Sequence, residues 1–304
     1  MIDLSDFNSL FDLVQIFSSE EKCIEYLESV RWKDGVISPF DPTSKVYKCS
    51  KGYWCKNTNK VFNVKTRTIF ENTKISLQKW FMAIWLITSH KKGISSIQLS
   101  KDIHVTQKTS WFMLQRIRNC FECENQHNLS NEVEIDETYI GGRERNKKQS
   151  NEKSGTQGRS IKTKVPVIGM IERKGKLVSH IIENAKSVTL TSAIVNKVDK
   201  TATIYTDEWK GYYTIDKLYN HLFVKHKENE FVNGNVSTNT IEGFWGLLKR
   251  GILGIYHKIS KKHLQMYIDE FVFRYNTRKI SEIQRFEFLI FNMTNRITYN
   301  DLIK

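Results

Sequence analysis

Apolar residues recur every three or four positions in several stretches of the chain, a pattern typical of amphipathic helices. Two short helices are expected within residues 3–30, and Ser18–Glu21 supplies a capping sequence between them. Further helical stretches are residues 76–122, 188–198, 238–250 and 263–277.

Between these helices the apolar runs are shorter and alternate with polar residues, which predicts β-strands. Short strands are expected at residues 45–48, 53–55, 60–64 and 68–70, and again at 131–142, 164–172, 177–182, 203–207 and 222–224. The second group gives three strands, a helix, two strands and a long helix. This order predicts a layered α/β fold.

Residues 94–118 are patterned as helix, tight turn and helix. Ile94–Ile103 forms the first helix, and Thr106 is a suitable N-cap for the second. A recognition helix presents its first turn to the major groove of DNA. That turn holds Gln107, Lys108, Thr109 and Ser110. We expect DNA contact there, with an ordinary helical hairpin as the alternative.

The composition favours a polyanionic partner. The 304 residues include 47 Lys and Arg against 33 Asp and Glu, a formal net charge of +14. Nucleic acid is the first candidate and an anionic membrane the second. The longest apolar run, Trp80–Ile87, is far short of a membrane-spanning helix, so no membrane partner is expected.

Five Cys in a chain of this length do not indicate a disulfide framework, and the start of the sequence lacks a signal-peptide pattern. A cytoplasmic protein is expected. A basic stretch, 143–164, is interpreted as a loop that is either merely solvated or lies along a phosphate backbone.

Acidic residues alternate with apolar ones along strand 131–142. Glu132, Glu134 and Asp136 share one face, opposite Val133 and Ile135. A solvated strand face explains the two glutamates. Asp136 is expected at the end of its strand, as Asp207 is in strand 203–207, and strand ends are where sites assemble in α/β sheets.

The stretch 238–250 places Glu242, Trp245 and Lys249 on one helical face. A core helix rarely presents a carboxylate, an indole and a cation together. The alternative is local, since Asn239 followed by Glu242 matches a capping box, in which the glutamate only completes the helix start.

Asp136, Asp207 and Glu242 can form one carboxylate cluster, with 34 residues between the last two (242−207−1). Clustered carboxylates cannot all stay ionised without a cation between them. Oxygen ligands favour Mg²⁺ or Mn²⁺. Two such ions can activate a water or a 3′-hydroxyl in phosphodiester attack, and Lys249 would then face the nucleic-acid backbone.

These motifs resemble those of DDE-type transposases of bacterial insertion sequences, in the subgroup that joins an N-terminal zinc ribbon and a helix-turn-helix to a ribonuclease-H-like domain. The resemblance covers roughly residues 32–278. It implies a mixed sheet flanked by helices, and metal-dependent strand cleavage and strand transfer with two Mg²⁺ or Mn²⁺ ions. The implied partners are terminal inverted repeats and target DNA, bound by a homo-oligomer on paired ends in the bacterial nucleoid.

The resemblance also assigns residues. The catalytic and metal-binding residues implied are Asp136, Asp207 and Glu242, with Asn239 as an alternative third metal ligand, and Lys249 and Arg250 are implied to contact DNA. The family's zinc-ribbon cysteines correspond to Ser38, Asp41, Cys55 and Thr58, which leaves one ligand, so no zinc is expected.

The predicted domains are N-terminal helices (1–31), a zinc-ribbon-like β region (32–72), a helix-turn-helix region (73–125), the catalytic domain (126–290) and a C-terminal tail (291–304). Two alternative functions remain. One is a non-catalytic helix-turn-helix regulator of DNA, and the other is a ribonuclease-H-like nuclease.

Overall fold

The computed structural model of the chain describes residues 7–141, 164–224, 237–294 and 296–303. The stretch 143–163 of the predicted basic loop lies outside these ranges. The chain divides into two units, Met1–Cys120 with Lys279–Lys304, and Phe121–Arg278. The five-domain division of the sequence stays a prediction.

The first unit contains most of the helices and a small sheet. Its elements are α1 (Leu10–Ile16), α2 (Glu20–Arg31), β1 (Val46–Cys49), β2 (Gly52–Cys55), β3 (Lys60–Phe62), α3 (Leu77–Ser89), α4 (Ser96–Asp102), α5 (Gln107–Asn119), α9 (Glu282–Phe291) and α10 (Tyr299–Ile303). Strands β1, β2 and β3 form an antiparallel sheet in that order.

Aromatic side chains build the core of this unit. Phe286 of α9 packs edge-on against Phe7 and Phe81, with ring centroids 5.6 and 5.7 Å apart. Helix α9 was not anticipated from the sequence. The strand expected at Thr68–Phe70 is wrong, because these residues form a turn in which the Thr68 hydroxyl accepts a hydrogen bond from the Phe70 amide.

The second unit is built on a mixed five-stranded sheet. Its elements are a 3₁₀ helix that begins at Cys120 (Cys120–Asn125), β4 (Glu132–Ile140), β5 (Val165–Glu172), β6 (Leu177–Ile181), α6 (Ser187–Val195), β7 (Thr203–Asp207), β8 (Asn220–Val224), α7 (Asn239–Gly251), a π-helical turn (Ile252–Tyr256) and α8 (Leu264–Asn276). The strand order is β6-β5-β4-β7-β8.

The strand directions complete this topology. The pairs β4–β5 and β5–β6 are antiparallel, whereas β4–β7 and β7–β8 are parallel. One face packs against α6 through a buried cluster that includes Val133 and Ile135, and the other packs against α7 and α8. This mixed sheet between helices is the ribonuclease-H-like fold, and the predicted fold class is confirmed.

The pairing of β4 is longer on one side than on the other. With β7 it extends only from Glu132↔Thr203 to Glu134↔Tyr205, but with β5 it continues to Ile140↔Val165. Asp136 is therefore in the middle of its nine-residue strand, and the prediction that it ends the strand is wrong. It lies just beyond the last residue that pairs with β7, where the two parallel strands diverge.

Candidate active site

One open pocket lies where β4 and β7 diverge and helix α7 crosses the sheet. Its volume is about 430 Å³. Among the described residues, its lining is mainly acidic and polar and includes a lysine: Asp136, Glu137, Thr138, Asp207, Thr238, Glu242, Trp245, Gly246 and Lys249. The structure thus brings the three predicted carboxylates to one pocket, although they come from three different elements.

Asp136 is a partly buried carboxylate of this pocket. Burial raises its pKa to about 7, with further contributions from the negative charges of Glu137 and Asp207. Two donors orient it. The Trp245 indole Nε1 is 3.0 Å from its Oδ2, and the Glu137 amide is 2.8 Å from its Oδ1.

Strand register explains why Asp207 reaches the same pocket. Glu134 pairs with Tyr205, so continuing the parallel register by two residues on each strand brings Asp136 and Asp207 opposite each other on the same face. The strands no longer pair there, which leaves space between the two side chains. The Trp209 amide, 3.0 Å from Asp207 Oδ1, holds this carboxylate in turn.

Glu242 enters the pocket from the first turn of α7. Its Oε1 accepts a 2.9 Å hydrogen bond from the Thr238 hydroxyl, and the capping box expected between Asn239 and Glu242 is absent. Asn239 is the first residue of the helix and is exposed, and it is not one of the described residues that line the pocket. Lys249 lines the pocket two turns later, and Arg250 beside it is exposed.

The interpretation of Glu134 as part of a solvated strand face is wrong. Its side chain is 1% exposed and lies under the start of α7. Its carboxylate accepts hydrogen bonds from the Thr240 and Ile241 amides and from the Arg173 guanidinium. Glu132 on the same face is exposed, as expected.

Three contacts in and around the site were not predicted from the sequence. The Tyr212 hydroxyl donates a 2.7 Å hydrogen bond to Glu137 Oε2 on the α6 side of the sheet. Trp245 shares a helical face with Glu242, which was the only sequence signal for its place beside Asp136. Gly169 on β5 makes room for that indole, because a Cβ at this position would lie 2.6 Å from the Trp245 ring.

Clustered carboxylate oxygens fit a hard divalent cation. Burial, followed by the negative charges of Glu137 and Asp207, raises the pKa of Asp136, and a bound cation would favour its ionised form. However, no group of three or more His, Cys, Asp or Glu side chains in the described ranges is close enough to hold a metal ion. Glu242 is bonded to Thr238 instead. The pocket therefore gathers the three carboxylates without their side chains forming such a group in this conformation.

The predicted DNA-contacting turn lies at the start of α5. Thr106 caps that helix as expected, because its hydroxyl accepts from the Thr109 amide. Gln107 and Lys108 are exposed and Thr109 is partly exposed. Ser110 corrects the prediction, since it is fully buried and donates its hydroxyl to the Ser96 carbonyl.

The ribbon region is held by aromatic contacts and hydrogen bonds. Trp32 packs edge-on against Tyr53, with ring centroids 5.0 Å apart. Of the four positions that correspond to zinc ligands, Ser38 and Cys55 are buried, whereas Asp41 accepts a 2.8 Å hydrogen bond from the Asn57 side chain and so links the two loops. The expectation of no zinc stays a prediction.

Comparison with known proteins gives the family. The ISXO2-like transposase domain matches residues 128–276. A Halobacterium salinarum protein, described as an uncharacterized protein in transposable element ISH50, is 31% identical over 277 residues, which covers 86% of this chain and 92% of the relative. An uncharacterized transposase-like protein of Haemophilus influenzae is 31% identical over 108 residues, 35% of this chain and 86% of that protein.

Among solved structures, the Mos1 strand transfer complex aligns at 12% identity over 69% of this chain and 73% of that chain, with a TM-score of 0.30. In the described part of the chain, no helix has the length and apolar character to cross a membrane.

A ribonuclease-H-like sheet with carboxylates gathered at one pocket defines a class of nucleic-acid-processing proteins. Within that class, the chain belongs to the family of ISXO2-like transposases, the DNA transposases of insertion sequences. The resemblance in the sequence motifs is thereby confirmed.

Proposed function

We propose that this transposase cleaves and joins DNA strands by the DDE-type reaction, with Asp136, Asp207 and Glu242 as the catalytic carboxylates. The observation that supports this proposal is the pocket itself, because three elements far apart in sequence deliver these side chains to one place. A protein that only binds DNA has no use for a carboxylate whose pKa is raised by burial and by two neighbouring carboxylates.

The same three carboxylates would hold Mg²⁺ or Mn²⁺, and two ions are expected. When bound, such ions lower the pKa of an attacking water or 3′-hydroxyl and stabilise the leaving oxygen. Glu242 lies in a helical first turn and is exposed, so its side chain can exchange the Thr238 hydroxyl for a cation by rotation. Asn239 remains an alternative ligand only if its exposed side chain turns inward.

The chain's other residues orient these groups and the DNA. The Trp245 indole fixes one oxygen of Asp136, and the Trp209 amide fixes one of Asp207. Lys249 lines the pocket and would neutralise a backbone phosphate, with Arg250 beside it. A DNA strand end held next to these groups would react faster because the reacting atoms are already close and oriented.

Recognition of the terminal inverted repeats is assigned to the start of α5. Gln107 and Lys108 are exposed there, and Thr109 is partly exposed, as a recognition helix requires. Ser110 is excluded from this set by its burial. We expect a homo-oligomer to assemble on paired ends and to act on target DNA in the nucleoid.

The test is a cleavage and joining assay with purified protein, Mg²⁺ and DNA that carries the ends of the element. Strand cleavage followed by transfer of a pre-cut end into target DNA is the expected result. Binding without cleavage would support a regulator, and hydrolysis without transfer would support a nuclease. Either outcome would overturn the proposal.

A further inference from the structure

The start of helix α7 is capped by another element of the fold. Its N-cap residue, Thr238, makes no side-chain capping hydrogen bond. Glu134 of β4 performs this role, because its Oε2 accepts from the Thr240 amide at 2.9 Å and from the Ile241 amide at 3.2 Å. These are the second and third amides of the helix, which an N-cap side chain normally satisfies.

The capping carboxylate is itself held in place. Its Oε1 accepts a 2.9 Å hydrogen bond from the Thr240 hydroxyl and a 3.0 Å bond from Arg173 Nε. Burial of a charge is costly unless it is paired and hydrogen-bonded. Here a cation, a hydroxyl and two helix amides offset that cost, and the positive end of the helix dipole adds to them.

Arg173 extends this contact to the residue that leads into the helix. Its guanidinium donates to the Ser237 carbonyl at 3.1 Å and lies over the Tyr205 ring, 4.1 Å from the centroid. One side chain therefore joins the end of β5, the neighbouring strands and the entry of α7. Its planar fork can make these contacts at the same time.

Glu242 lies between two attachments of α7 to strand β4. Glu134 holds the helix at Thr240 and Ile241, and Asp136 accepts from Trp245 one turn later. Because Glu134 and Asp136 are alternate residues of one strand, the distance between the two attachments is set by the strand. The backbone of Glu242 is thus fixed relative to Asp136.

We propose that Glu134, held by Arg173, is a positioning residue that places Glu242 within reach of the metal-binding aspartates. This inference rests on the proposed function, because it concerns the same carboxylates. Glu134 has no contact with the substrate in this role. It acts through the first turn of α7.

The test compares Glu134→Gln with Glu172→Gln, which removes the same charge from the neighbouring strand, where the side chain contacts Ser130 and Asn131 instead of α7. A glutamine side chain has only one acceptor oxygen, so it cannot accept both from the two helix amides and from the Thr240 hydroxyl and Arg173 Nε, which bond different oxygens of Glu134. Three quantities are measured in the full chain: hydrogen exchange of the Thr240 and Ile241 amides, Mn²⁺ affinity by electron paramagnetic resonance, and kcat and KM for strand transfer.

In Glu134→Gln we expect faster exchange of both amides, Mn²⁺ affinity weaker by about tenfold, and kcat lower by about tenfold to a hundredfold. The KM for DNA should stay unchanged, because the DNA-contacting residues are intact. Glu172→Gln should match the wild type. Wild-type exchange, Mn²⁺ affinity and kcat in Glu134→Gln would overturn the proposal, as would a fall in DNA affinity that accounts for the whole loss.

Thr240→Val serves if Glu134→Gln does not fold, because Thr240 is exposed and only its hydroxyl bond to Glu134 is removed. A shift of about threefold in the same direction is expected, and no shift would overturn the proposal. A wild-type chain with neither Mn²⁺ binding nor strand transfer would refute the proposed function instead. Hydrogen exchange would then still decide whether Glu134 orders the helix start.

Discussion

The indole Nε1 of Trp245 lies 3.0 Å from Oδ2 of Asp136, and this bond joins helix α7 to the central strand of the sheet. Both residues are in contact with the pocket. Because this donor bonds one oxygen of Asp136, it fixes the orientation of the carboxylate in the pocket and so how its oxygens face a cation. Helix α7 and strand β4 therefore hold their pocket residues in a fixed relative position through this bond.

Removal of this donor should weaken catalysis beyond the effect of losing buried packing at the same position. Trp245→Phe keeps an aromatic ring but loses the N–H, so we expect kcat for strand transfer to fall by about tenfold or more. The matched control is Trp80→Phe, which removes an indole bond of the same 3.0 Å length to Thr73 in the other unit. Equal kcat in the two variants would contradict the role given to Trp245.

Neutralisation of the aspartates should abolish the chemistry and spare DNA binding. For Asp136→Asn and Asp207→Asn we expect strand transfer to fall by about a thousandfold or more, because a metal ligand and its charge are lost. Binding to the element's ends, measured by gel shift, should match the wild type. Wild-type transfer rates in either variant would refute the site assignment.

The metal-free protein should lose stability as the pH rises through neutrality. Burial, followed by the charges of Glu137 and Asp207, raises the pKa of Asp136 from its ordinary 3.8 to about 7. The folded state keeps a proton that the unfolded chain has already released, so stability is lost progressively between about pH 4 and pH 7.

Asp136→Asn lacks this loss, so its free energy of unfolding relative to the wild type should rise between pH 5 and pH 8, by at most about 3 kcal/mol. Denaturant titrations without divalent ions measure the difference. Added Mg²⁺ should reduce it at pH 8, because the cation stabilises the ionised carboxylate in the wild type. Parallel pH profiles of the two proteins would contradict the raised pKa.

The buried hydroxyl of Tyr212 should matter more than an otherwise similar hydroxyl nearby. It donates to the carboxylate of Glu137 at 2.7 Å, so Tyr212→Phe should lower the free energy of unfolding by about 2 kcal/mol. Tyr219→Phe removes a 3.0 Å bond to a neutral carbonyl, that of Val198, and should cost about 1 kcal/mol. The reverse order in denaturant melts would show that Glu137 does not depend on Tyr212.

The ribbon region should be stable without metal. The side chain of Asn57 donates to Asp41, and its backbone N–H donates to the Ser44 hydroxyl. Asn57→Ala removes only the first of these two bonds, which links the segments around Asp41 and Asn57, and it should lower the melting temperature. Lys56→Ala, one residue away and exposed, is the control. A chelator should leave the wild-type melting temperature unchanged, and a fall on chelation would indicate a structural metal.

Residue periodicity predicts the second unit well, because its strands are buried runs with clear ends. Strand β7 has the predicted bounds, Thr203–Asp207. The pattern also identifies both aspartates. Asp136 alternates with apolar residues along its strand, and Asp207 is the last residue of its strand. What it omits is pairing register, and for that reason Asp136 was expected at a strand end.

The role of Glu134 could not be found from local pattern. An acidic residue on an alternating strand is usually solvated. Glu134 instead accepts hydrogen bonds from the backbone amides of Thr240 and Ile241, and backbone amides leave no signal in a sequence because almost every residue has one. Ser110 shows the opposite error, because a polar residue in a predicted recognition turn is buried against a carbonyl of the preceding helix. Long-range contacts decide both cases.

The indole of Trp245 packs directly against the backbone at Gly169. A Cβ at position 169 would also lie 2.8 Å from Cδ1 of Ile241. Exchange of helix α7 between relatives should therefore succeed only when strand β5 is exchanged with it. In a shuffled library, crossovers that separate these two segments would be depleted among functional clones. The absence of a side chain at Gly169 thus limits which recombinants of this gene encode a folded, active protein.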